Sequence, residues 1–125
     1  MSVSRGFLVI APFYMIVGVL IGAQMGGSGD HTLAPAHAHI NLLGFTLMML
    51  FGLAYSRFPD AAASPLARLH FWLHQAGALI LCVLLVLLFS GRITEAAMFP
   101  LAPIAELAVL IGLVCFAVNM VRHAR

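Results

Sequence analysis

Residues 66–89 read LARLHFWLHQAGALILCVLLVLLF. Arg68, His70, His74 and Gln75 stand in the first half, and from Ala78 to Phe89 every side chain is apolar apart from the thiol of Cys82. At about 1.5 Å of rise per residue, a helix of this length crosses a hydrocarbon core of about 30 Å. Three further stretches share its length and character: Gly6 to Gly26, Ala36 to Tyr55 and Met98 to Val121. Of the 125 residues 63% are hydrophobic and 8% charged, with a mean hydropathy of +1.10. A soluble domain carries about 25% charged residues to hydrate its surface. This chain cannot cover itself with water, so its solvent is lipid over most of its area. The reading is an all-α integral membrane four-helix up-down bundle, one membrane domain over residues 1–125.

The connectors hold the breakers and the charges: Gly26 to Asp30, Arg57 to Pro65 and Ser90 to Glu95. The six basic residues are all arginine, and the net charge is only +2. Scattered arginines of that number make no phosphate-binding surface, which excludes nucleic acid as a partner. Arg5, Arg57, Arg68, Arg122 and Arg125 fall on the side of the N-terminus, and Arg92 alone falls opposite. The positive-inside rule therefore predicts that both termini are cytoplasmic. A signal peptide ending near Ala23 is the alternative for the first span, but cleavage there would spoil the arginine pattern.

Gly18, Gly22 and Gly26 recur every four residues and predict a close helix contact, within the chain or between copies in a homo-oligomer. Ala108 and Gly112 form a shorter stripe on the fourth span. Cys82 and Cys115, each inside an apolar run, read as small packing residues.

Histidine is out of proportion: six in a chain with ten charged residues. His123 sits among arginines and reads as solvated. His31, His37 and His39 cluster at the outer end of the second span, with Asn41 just below. His37 and His39 differ by about 200° of helical rotation, so only one can face the bundle. The plain alternative is a polar helix start at headgroup level. His70 and His74 share a face of the third span at i and i+4, with His74 about 12 Å inside. Two histidines alone do not complete a zinc site. Glu106 lies about 12 Å into the fourth span. A carboxylate at that depth marks a functional site by default, paired with His37, His39 or another polar group, or else protonated.

The run His39-Ile-Asn41 followed by LLGFTLMMLFGLAY to Tyr55 resembles the second helix of heme–copper oxidase subunit I, nearest to the cbb-type and nitric-oxide-reductase branch. The proline turn that follows and Phe71-Trp72 continue the likeness, which covers roughly residues 35 to 80. The resemblance implies that His39 is an axial ligand of heme b, and that the protein resides in a bacterial-type inner (plasma) membrane. The helices that carry the family's copper-site histidines have no counterpart here, so oxygen reduction does not carry over. By helical rise His39 and His74 are about 13 Å apart in depth and cannot share one iron. A second axial ligand is expected from His37, His31 or a histidine of another copy, while His70 or His74 is a candidate for a second heme nearer the cytoplasm.

Two functional classes and one structural reading follow. The first is a b-type heme protein for electron transfer or for sensing a redox state or gas, with a redox partner protein. Covalent c-type attachment is excluded, because no Cys-x-x-Cys-His occurs. The second is a copper or zinc protein using His31, His37 and His39 with Asp30 and Glu106, alongside a purely structural subunit of a respiratory complex.

Overall fold

The computed structural model describes residues 2–124, so Arg125 lies outside the described residues. Four long helices are apolar enough to cross a membrane: α1 (Val3–Ser28), α2 (Ala34–Arg57), α4 (Pro65–Phe89) and α5 (Leu101–His123). A five-residue helix, α3 (Pro59–Ala63), joins α2 to α4, and a 3₁₀ turn over Glu95–Met98 precedes α5. The chain is an all-α, multi-pass membrane protein, and no strand occurs among the described residues.

The helix ends follow from local chemistry. The Ser2 hydroxyl accepts from the Arg5 N–H, and the Ser64 hydroxyl accepts from the Ala67 N–H with Pro65 in the first turn. Each satisfies a backbone donor that the helix leaves open. Gly29 closes α1 at φ +73°, where its N–H reaches the Met25 carbonyl, as left-handed C-caps do. The fourth span begins at Leu101 instead of Met98, because residues 95–98 form the tighter 3₁₀ turn capped by the Thr94 hydroxyl.

α2 is not a uniform α-helix. Its middle, Ile40–Thr46, widens into a π-helical segment in which the Leu47 N–H reaches back to the Leu42 carbonyl. The Thr46 hydroxyl donates to the Asn41 carbonyl at 3.1 Å, and the His74 ring donates to the Leu43 carbonyl at 3.0 Å. Side chains thus take up carbonyls that the wider turn leaves accessible.

Glycine sets how closely α1 and α2 approach. A Cβ on Gly18 would collide with the Asn41 amide, and one on Gly22 would lie 3.0 Å from the His37 ring. Gly44 of α2 receives the Tyr14 side chain, and Gly52 receives Leu8. The stripe on α1 therefore serves the hairpin within the chain at Gly18 and Gly22, while Gly26 meets nothing within 4 Å. The Ser4 hydroxyl donates to the Gly52 carbonyl at 2.9 Å and ties the same pair at its other end. α4 meets α5 in the same way: Gly77 lies against the Ala105 carbonyl and Gly112 against His70. Lipid supplies no hydrophobic push between helices, so this backbone approach carries the association.

The two hairpins close on a core of Phe7, Phe51, Tyr55, Phe71, Ala78 and Met48. At the end holding both termini, the fully buried Asn119 donates from Nδ2 to the Ala61 carbonyl at 2.9 Å, fastening α3 to α5.

Candidate functional site

The polar residues in the spans fall into an outer group on α2 and an inner group across α2, α4 and α5. In the outer group His37 turns inward against Gly22, and its Nε2 accepts from the Asn41 amide at 3.1 Å. Its Nδ1 and the Asn41 Oδ1 are buried without partners among the described residues. His39 turns the other way, as the rotation between them requires. It is exposed on the outside of the bundle, and its Nδ1–H donates to the Pro35 carbonyl at 2.8 Å. A carbonyl can only accept, so the bond fixes the tautomer and leaves the Nε2 lone pair pointing away. An imidazole held this way is oriented for ligation, since metal-bound histidines commonly give their other N–H to a backbone carbonyl.

His31 stands apart in the loop, exposed, donating to the Gly29 carbonyl at 3.1 Å. Beside it, the Thr32 backbone N–H bonds to the Asp30 carboxylate and holds its pKa below the usual value.

Glu106 departs from expectation. The buried face of α5 is Ala102, Ala105, Val109, Gly112, Cys115 and Asn119, and Glu106 lies about 100° away from Ala105. It is exposed on the outside of the bundle and takes no part in the hydrogen bonds of His37 or His39. With α5 starting at Leu101, its depth is about 8 Å.

In the inner group His70 and His74 are both fully buried, with ring centroids 5.9 Å apart. Phe51 stands edge-on to both, at 4.4 and 5.2 Å. Phe7 packs at 5.1 Å from His70 and Phe116 at 5.3 Å. The Tyr55 hydroxyl is 2.9 Å from His70 Nδ1, and His74 Nε2–H donates to Leu43. His70 Nε2 and His74 Nδ1 are buried without partners among the described residues.

The two groups fit a porphyrin differently. Phenyl rings in direct contact with His70 and His74 leave a macrocycle no room beside either, so the inner pair does not suit a second heme. The apolar groove of about 710 Å³ between α1 and α4, which includes Tyr14 and Trp72, is lined by no histidine. His39 does suit the group: its free nitrogen faces outward, with Leu42 and Leu50 exposed on the same helix. No group of three or more His, Cys, Asp or Glu able to hold a bare metal ion occurs among the described residues. His31, His37, His39 and Glu106 do not converge. A porphyrin brings four ligands of its own, so one histidine per chain is enough for iron.

Two members of the inner group, Tyr55 and Asn119, escape a reading of the sequence. Tyr55 looks like an interfacial aromatic. Asn119 carried the same signal as Asn41, a bare amide among apolar residues.

Comparison with family models, with curated proteins and with solved structures finds no match.

Proposed function

We propose that the protein is a b-type heme protein of a bacterial-type plasma membrane, with His39 as the axial ligand and both termini cytoplasmic. The carrying observation is the His39 imidazole, on the outside of the bundle with Nδ1–H held by Pro35 and Nε2 free. An iron porphyrin supplies one-electron chemistry or a gas-binding position. The chain supplies the ligand, its orientation, and apolar cover from Leu42 and Leu50. A ligand on the outer surface leaves one face of the macrocycle to be covered, and we infer that a second copy covers it, placing its own His39 on the opposite side. The arginine distribution puts His39 near the outer leaflet, where electrons would pass to or from a redox partner. Free copper or zinc is the weaker reading, because no three ligands converge among the described residues.

The absorption spectrum of the protein extracted from its membranes tests the proposal. A Soret band that shifts on addition of dithionite is the expected result. A folded protein that stays colourless after incubation with hemin overturns it.

A further inference from the structure

We propose that Tyr55, His70 and His74 form a proton relay that connects the cytoplasmic end of the bundle with its middle. The inference does not depend on heme. It starts from the two unpartnered nitrogens, His70 Nε2 and His74 Nδ1, on fully buried rings. In hydrocarbon an unsatisfied polar atom is strongly unfavourable, and phenyl rings in both places would avoid that cost.

The protonation pattern follows from the partners. His74 gives its Nε2–H to the Leu43 carbonyl, so its Nδ1 is an acceptor. When the Tyr55 hydroxyl donates to His70 Nδ1, the His70 Nε2 carries a hydrogen and is a donor. His70 then offers a buried donor and His74 a buried acceptor on residues one helical turn apart, with ring centroids 5.9 Å apart. In the relay one water molecule would bridge them, accepting from His70 and donating to His74.

The far end of this file borders a cavity. A cavity of about 530 Å³ at the end of the bundle is lined by Ser2, Ser4, Tyr55, Ser56 and Arg68. Tyr55 thus touches the vestibule on one side and His70 on the other. His74 lies nine residues into α4 from Pro65, about 14 Å deep and close to the midplane of a core of about 30 Å. The π segment of α2 supplies the carbonyl where the file stops.

Passage of a proton changes only O–H and N–H bonds. Tyr55 passes its hydrogen to His70 Nδ1 and recovers one from a hydronium in the vestibule. His70 releases its Nε2 hydrogen to the bridging water, and that water protonates His74 Nδ1. The charge that entered as hydronium is then an imidazolium at His74. Phe7 faces the pair from α1, Phe51 from α2 and Phe116 from α5. Asn119 and Cys115 of α5 lie beside Tyr55, and Arg68 stands exposed at the vestibule. No carboxylate is among these neighbours.

Hydrogen–deuterium exchange at the histidine rings of the whole ¹⁵N-histidine-labelled protein in lipid nanodiscs tests the relay. Tyr55→Phe removes the hydroxyl and keeps the ring that stacks on Phe7 at 6.2 Å. In the wild type the His74 ring should exchange readily, and Tyr55→Phe should slow it at least about a hundredfold, the low end of what a positioned proton-transfer group contributes. Equal rates in the two proteins, or a wild-type His74 ring that stays protected, overturn the proposal. A second measurement needs no substitution. Nitrogen shifts of the unaltered protein should give His74 as the Nε2–H tautomer, with a water cross-peak shared by both rings. The other tautomer, or no water signal at either ring, overturns the relay as well.

Discussion

Replacing His39 by alanine is expected to strip the protein of heme while leaving the bundle folded. The ring is exposed and its one protein hydrogen bond is to Pro35 on its own helix, so its removal opens no cavity between helices. Losing a group that merely orients a ligand costs about 10–100-fold in metal affinity. Losing the ligand itself should lower hemin affinity by at least about 100-fold. His74→Ala should behave in the opposite way. It deletes the bond to the Leu43 carbonyl and the packing against Phe7 and Phe51. It should therefore cost stability, about 2–4 kcal/mol for a large-to-small change in a packed core, and leave heme content per folded protein unchanged. Soret absorbance and thermal unfolding, recorded on both variants in the same detergent, separate the two effects. A colourless, folded His74→Ala beside a coloured His39→Ala would move the ligand to the inner pair.

The second large effect concerns the glycine contact between α1 and α2. In Gly44→Val the new Cβ falls on Tyr14, and the atoms met include Tyr14 Cβ as well as its ring carbons. A ring can rotate away, but Cβ moves only with the backbone of α1, so the helices must separate. Over-packing of this kind typically costs about 1–3 kcal/mol. Here the upper end is expected, because the displaced contact also holds Gly18 against Asn41 and Gly52 against Leu8. Gly26→Val is the control, since nothing lies within 4 Å of that position. Unfolding midpoints in detergent should fall clearly for the first variant and stay put for the second. Equal midpoints would show that α1 and α2 do not pack through Gly44.

Hydropathy made the spans legible in the sequence, because a run of about 20 apolar residues has few other stable solvents than lipid. Which way each polar residue faces was less legible. In a soluble helix the polar face marks the outside. In α5 the lipid-facing side holds Ile104, Leu107 and Leu110, as apolar as the buried side. Periodicity therefore has no phase to report, and Glu106 was expected inside. The opposed directions of His37 and His39 followed from helical geometry alone, but which one faces outward needed the position of α1. The π segment of α2 left no mark in composition, because its carbonyls are taken by Thr46 and by His74, the latter 31 positions away. Tyr55 became part of the inner group only once α2 and α4 were placed side by side.

Stoichiometric titration of the purified protein with hemin tests the central claim most directly. The account predicts saturable binding that ends near one heme per two chains, with a spectrum typical of two axial imidazoles, and no such endpoint in His39→Ala. Absence of saturation in the wild type, or an identical endpoint in the variant, would contradict it.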